Sequence, residues 1–108
     1  MDAIVENVNI QLPQDQIINF CQRWKVVEFS LFGSVVGEGF QPDSDVDVLV
    51  SFAPEARWSL FDLVSMQDEL KEIFGREVDL VEREGLVNPF RRYAILNSRK
   101  VIYEATRA

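Results

Sequence analysis

The sequence predicts an α/β (α+β) fold: one small domain in which a mixed central β-sheet carries helices packed on it. Three observations lead there. Stretches rich in β-branched residues at 26–32, 45–52 and 77–82 are separated by stretches with helical apolar spacing at 14–24 and 60–74. The 108 residues suffice for one modest core. No internal repeat, low-complexity tract or linker divides the chain, so residues 1–108 read as one domain.

The elements follow in order. Residues 1–12 scatter Val5, Val8, Ile10 and Leu12 among polar residues and read as a flexible or lead-in arm. After Pro13, residues 14–24 form a helix with Ile17, Ile18, Cys21 and Trp24 on one side. Residues 26–32 form the first strand, with Val27, Phe29 and Leu31 on its apolar face. Residues 35–39 make one helical turn, Pro42, Asp43 and Ser44 reverse the chain, and 45–52 form the second strand. Residues 60–74 read as the clearest helix, with Leu60, Leu63, Val64, Gln67, Leu70, Ile73 and Phe74 tracing its inner face. Ser59 caps its start, with Asp62 three residues on, and Gly75 ends it. This helix is a crossover to a third strand at 77–82. Asn88-Pro89 opens a short helix to about residue 96, with Phe90, Ala94 and Ile95 partly inward, and residues 101–103 add a short strand.

Composition removes whole classes of chemistry. The chain has no His and one Cys, so imidazole bases, Ser-His-Asp triads, cysteine or histidine zinc sites and internal disulfides are excluded. Cys21 reads as a small buried hydrophobe. Carboxylates, hydroxyls, amines and metal remain. The net charge of −7 disfavours direct nucleic-acid binding by the chain alone, and suits a metal-shielded small nucleotide or a partner with a basic face. No apolar run reaches the length of a membrane span and no signal pattern opens the chain, so no membrane association and a cytoplasmic location are the expectation.

Chemistry concentrates between residues 31 and 50. An apolar strand stops at Gly33-Ser34, and Asp45 and Asp47 are set into a second one. Residues two apart on a strand share a face, which places these carboxylates side by side with Cα atoms roughly 6.5–7 Å apart. Two like charges so close are costly unless a cation sits between them, and Mg²⁺, a hard ion that takes oxygen ligands, is the candidate. Gly33 and Ser34 suit close approach to a phosphate, since glycine has no side chain in the way and serine offers a hydroxyl. Other loop motifs fail. After Asp43-Ser44-Asp45-Val46-Asp47 a calcium loop needs glycine where Val48 stands and glutamate where Pro54 stands. A dinucleotide fingerprint lacks its last glycine at Pro42, and there is no P-loop lysine. Asp79, between Val78 and Leu80, falls in a strand expected to be buried, where an unpaired acid is expensive. Either it faces Asp45 and Asp47 from a neighbouring strand, or it lies at a strand edge facing water, Arg76 or Arg83.

Gly33-Ser34, a short linker and Pro42-Asp43-Ser44-Asp45-Val46-Asp47-Val48-Leu49-Val50 resemble the signature of the nucleotidyltransferase superfamily related to DNA polymerase β. The small size resembles its minimal members, the MNT-domain antitoxins encoded beside HEPN-type toxins. Val78-Asp79-Leu80-Val81 matches the stretch that carries the superfamily's third acid. The resemblance implies a small nucleotidyltransferase domain with catalytic and metal-binding Asp45, Asp47 and Asp79, two Mg²⁺ ions for which Mn²⁺ can substitute, and Gly33, Ser34, Asp45 and Asp47 holding the nucleotide. It implies transfer of AMP from ATP to a hydroxyl, a tyrosine of a HEPN-type toxin encoded by a neighbouring gene, so that the chain acts as antitoxin. The alternative is a weak or silent module that neutralises its partner by covering it. One departure bears on this choice. Many MNT-domain proteins carry Ala-Arg-Gly after the Gly-Ser-x element, where this chain has Val36, Gly37 and Glu38. Arg57, Arg91, Arg92 or a partner's arginine could replace that cation, although Arg91-Arg92 reads first as a solvated helix face.

Overall fold

The computed structural model describes residues 8–105. β1 (Val26–Phe32) and β2 (Val46–Phe52) pair antiparallel at the centre of a four-stranded sheet. β3 (Val78–Glu82) runs parallel to β2 on one flank, and β4 (Lys100–Glu104) runs antiparallel to β1 on the other. The order is β3-β2-β1-β4, a mixed sheet as expected. Its helices are α1 (Gln14–Arg23), α2 (Leu60–Phe74) and α3 (Pro89–Ser98). The parallel step from β2 to β3 requires a crossover, and α2 supplies it.

The sheet is covered on both faces, and this decides where the chemistry lies. On one face Val46, Val48 and Val50 of β2 join Phe29 and Leu31 of β1 against Ile17, Phe20 and Cys21 of α1 and Met66 and Leu70 of α2. Cys21 is buried in this cluster, and desolvation pushes its thiol up to about 12, so it is inert at neutral pH. On the opposite face Phe32 and Leu49 pack with Leu86 and with Ile95 of α3. Alternation along β2 puts Asp47 on the second face with Leu49, while its neighbours Val46 and Val48 anchor the strand in the first core.

Local signals set the helix limits. Ser59 and Asp62 form a reciprocal capping box: the Asp62 N–H donates to Ser59 Oγ at 3.2 Å, and the Ser59 N–H donates to Asp62 Oδ2 at 2.8 Å. Gly75 closes α2 in the left-handed region at φ 69°. Asn88 caps α3 and Pro89 occupies its first turn.

Several expectations shift. A bulge in β1 between Val26 and Glu28 resets its alternation, so Val26, not Val27, joins Phe29 and Leu31 in the core. The helical turn comes at Gly33–Val36, two residues earlier than residues 35–39, because a positive φ at Gly33 turns the chain directly out of the strand. On α2, Leu60 and Val64 are exposed and Met66 is buried, so the inner stripe is rotated from the one expected. On α3, Phe90 and Ala94 face solvent and only Ile95 of the three is buried. The strands predicted from 45 and 77 begin one residue later, at Val46 and Val78. Of the predicted arm, residues 1–7 lie outside the described residues; Val8 and Leu12 are buried against the sheet and helices. No helix among the described residues is long and apolar enough to cross a membrane.

Candidate active site

Asp47 lies near the start of β2, flanked on both sides. Across the antiparallel pair it faces Phe32, the last residue of β1, and across the parallel pair it faces Asp79 of β3. Register partners on adjacent strands point to the same face with backbones about 4.8 Å apart, so the two carboxylates are neighbours. Gly33 follows Phe32 at φ 75°, and its backbone closes directly over Asp47: a Cβ built there would stand 2.2 Å from Asp47 Oδ2. Any side chain at position 33 would collide with the carboxylate. The glycine of the corner and Asp47 therefore meet. The Ser34 hydroxyl beside this contact makes no hydrogen bond among the described residues.

Asp45 precedes β2 by one residue and is exposed. The turn leading to it is secured on two sides. The Ser44 N–H donates to Gln41 O at 3.0 Å and the Gln41 N–H donates to Ser44 Oγ at 2.9 Å. Arg76, at the foot of β3, donates to Ser44 O at 3.2 Å and lies over the Phe40 ring at 4.7 Å. The corner is secured by a residue that the sequence did not single out. Asn9 donates from its side chain to Gly37 O at 2.8 Å and Ser34 O at 3.2 Å, while its N–H donates to Val35 O at 2.8 Å. An asparagine in an otherwise unpatterned arm carries no sequence signal for this role.

Asp79 corrects part of the earlier argument. Its strand is an edge strand and its side chain is exposed, so a burial penalty does not explain it. Neither Arg76 nor Arg83 pairs with it: Arg76 holds Ser44, and Arg83 lies 3.6 Å from Glu28. What ties Asp79 to the site is its register with Asp47.

Burial, then the charges of Asp79 and Asp45, hold the Asp47 carboxyl above its usual value, and the charge of Arg91 pulls the other way. Arg91 itself is exposed, as a solvated helix face requires, although its charge reaches Asp47. Arg92 is half-buried and donates to Arg83 O at 3.2 Å. Arg57 folds back on Pro54 O and Ala56 O, at 2.7 and 3.1 Å, far from the acids in the sheet.

Among the described residues no three acids are drawn together into a ready-made chelating cage. Magnesium characteristically takes one or two carboxylates and completes its octahedron with water and substrate phosphate, so an all-protein cage is not what it needs. An oxygen-only donor set, mutual repulsion at Asp47 and a side-chain-free backbone against it fit such a hard cation. The acidic face is open. Hollows of about 560 and 510 Å³ lie elsewhere, one lined by Asp15, Arg23 and Glu69 and the other by Phe52, Arg57 and Trp58.

Residues 15–102 match the family model described as a nucleotidyltransferase domain. The chain belongs to that family. The match takes in all of the strands and helices except Gln14 of α1 and the last two residues of β4, and includes the Gly33-Ser34 corner and the three acids. A curated relative from Thermococcus cleftensis, named protein adenylyltransferase MntA, is 34% identical over 82 residues, covering 76% of this chain and 78% of the relative. A relative from Methanocaldococcus jannaschii, named as a candidate protein adenylyltransferase, is 36% identical over 90 residues, 83% of this chain and 94% of its own. The fold matches a solved structure described as a toxin-antitoxin with AMP-PNP at a TM-score of 0.71, with 18% identity, 88% of this chain and 76% of the other covered. It also matches a complex of tri-AMPylated Shewanella oneidensis HEPN toxin with MNT antitoxin at a TM-score of 0.63, with 18% identity, 85% of this chain and 70% of the other covered. At these identities the two structures bear on the fold alone.

Proposed function

We propose that this chain is a minimal nucleotidyltransferase that moves AMP from ATP onto a hydroxyl, a tyrosine of a HEPN-type partner protein, and so acts as its antitoxin. The single observation that carries the reading is the meeting of Gly33, Asp47 and Asp79: a bare glycine backbone against a carboxylate that is in register with a second one. The names of the relatives and the partners of the structural neighbours support the acceptor class. A cytoplasmic location and no membrane partner go with it.

Asp45, Asp47 and Asp79 would hold Mg²⁺, with Mn²⁺ as a substitute. When bound, the ions would neutralise phosphate charge and lower the pKa of the acceptor hydroxyl. The chain's own residues do the rest. Gly33 lets the corner backbone close on the Asp47 carboxylate, and Ser34 offers its hydroxyl to the outer oxygens of the triphosphate. Asp79, exposed on the edge strand, is open to an incoming acceptor, and it takes the hydroxyl proton. The acceptor oxygen bonds to the α-phosphorus as the bond to the bridging oxygen breaks, and pyrophosphate leaves with that electron pair. An open acidic face suits a protein acceptor better than an enclosed small molecule. Phe61, Phe90 and Tyr93, exposed at 84%, 85% and 72%, offer apolar surface for such a partner, and this also suits neutralisation by covering alone.

Thermal unfolding with and without Mg²⁺ and ATP tests the nucleotide site. Saturating Mg²⁺-ATP should raise the melting temperature of the wild type by linkage and leave Asp45→Ala/Asp47→Ala unmoved. A wild type indifferent to Mg²⁺-ATP at millimolar concentration would remove the basis for any nucleotide chemistry.

A further inference from the structure

We propose that Arg91 is the phosphate-contacting cation of this site, reaching the triphosphate from α3 and stabilising the pyrophosphate as it leaves. The inference rests on the nucleotide-site reading above and adds a specific residue to it.

The geometry comes from α3. Ile95 is buried against Phe32 and Leu49, which fixes the inward face of the helix. Arg91 lies four residues earlier, on the same face and one turn toward the helix start. On the strand beneath, the residue two before Leu49 is Asp47, and Phe32 is paired with Asp47 across β1 and β2. A helix whose Ile95 covers Leu49 and Phe32 therefore carries Arg91 over the acidic end of the same face. Two contacts hold it there. Asn88 Oδ1 accepts from the Phe90 and Arg91 N–H groups at 3.0 and 3.1 Å, fixing the first turn. The helix also packs against the Gly33–Val36 turn, on the glycine side of Asp47. The charge of Arg91 is felt at Asp47, as its position requires.

The other arginines near this face are engaged. Arg76 holds Ser44 O, Arg83 and Arg99 hold Glu28, and Arg92 holds Arg83 O. Among the described residues the Arg91 guanidinium makes no ion pair or hydrogen bond. The corner itself offers no cation, since residues 33–39 contain Glu38 and no Lys or Arg. A guanidinium whose charge reaches Asp47 yet pairs with no carboxylate among the described residues is placed for an anion brought in beside that acid, and its planar fork suits phosphate oxygens. In the transfer step Arg91 gives up no proton. It offsets the charge that gathers on pyrophosphate as the phosphoanhydride bond breaks.

The test is binding of AMP-PNP and of AMP, each with Mg²⁺, by titration calorimetry on the wild type, Arg91→Ala, Arg91→Lys and the control Arg57→Ala. Arg91→Ala should weaken AMP-PNP binding at least about tenfold, change AMP binding far less, and leave the ligand-free melting temperature in place, because the side chain is exposed and unpaired. Arg91→Lys should recover part of the loss and Arg57→Ala should match the wild type. AMP-PNP affinity equal in wild type and Arg91→Ala would overturn this assignment while leaving the nucleotide site standing. No AMP-PNP binding by the wild type would overturn both.

Discussion

Asp47 and Asp79 are register partners on β2 and β3, so two carboxylates that lie far apart in the chain share one face of the sheet. Asp45 adds its charge from two residues upstream, and Gly33 presses its bare backbone against Asp47. The sheet thus spends stability to concentrate like charge at one place, as a site for a cation and a polyanion requires.

Asp47→Asn should stabilise the protein while abolishing transfer. The folded-state carboxyl value is raised above that of the unfolded chain, so the folded chain binds this proton more tightly. The penalty is absent below the ordinary carboxylate value and fully present once the pH exceeds the raised one. Thermal melts should therefore show Asp47→Asn above wild type at pH 7, converging with it as the pH falls below about 3.8. A variant that melts lower than wild type at pH 7 would contradict the repulsion.

Gly33→Ala tests the corner. The new methyl meets Asp47 Oδ2 at 2.2 Å and sits at φ 75°, a conformation that alanine adopts only with strain. We expect a stability loss of about 1–3 kcal/mol by urea titration. Transfer should fall at least about tenfold, since a displacement of order 1 Å at a reacting centre has that effect. Wild-type activity in Gly33→Ala would mean that Asp47 does not work from the observed position.

Asn9→Ala removes two side-chain hydrogen bonds to the carbonyls of Ser34 and Gly37 without touching an acid. A stability loss of about 0.5–1.5 kcal/mol is expected, together with a rise in KM for ATP that exceeds the fall in kcat. An unchanged KM would show that the corner holds its shape without the N-terminal segment.

Ser59→Ala is the matching control for a purely structural residue. Breaking the capping box should cost about 1 kcal/mol in thermal or urea unfolding and leave the kinetic constants alone. A marked change in kcat would show that α2 communicates with the acids, which nothing in its packing requires.

Much of this was legible in the chain because local rules and tertiary demands agree. Val26 to Phe32, the Ser59 cap and Gly75 bound elements whose limits the structure reproduces. Strand periodicity accounts for the face on which Asp47 lies, whereas Asp45 falls one residue before β2, and Asp79 stands in register with Asp47 although the burial argued for it does not hold. What stayed hidden depends on packing across long sequence separations. Asn9 reaches Gly37 by folding an unpatterned arm over the corner. Arg91 looks like any exposed helix arginine until Ile95 fixes which way α3 faces. The inner stripe of α2 was misread because Leu60 and Val64 obey helical spacing equally well on a face that the sheet does not cover.

Label transfer from ATP carrying a radioactive α-phosphate bears most directly on the central claim. The chain is incubated with Mg²⁺ and the HEPN-type protein encoded beside it, and compared with Asp45→Ala/Asp47→Ala. The account predicts label on a tyrosine of the partner with the wild type, at least about a hundredfold less with the double variant, and loss of neutralisation in step. An unlabelled partner that both proteins neutralise equally would contradict it, and the acids on the sheet would then have no part in what this chain does.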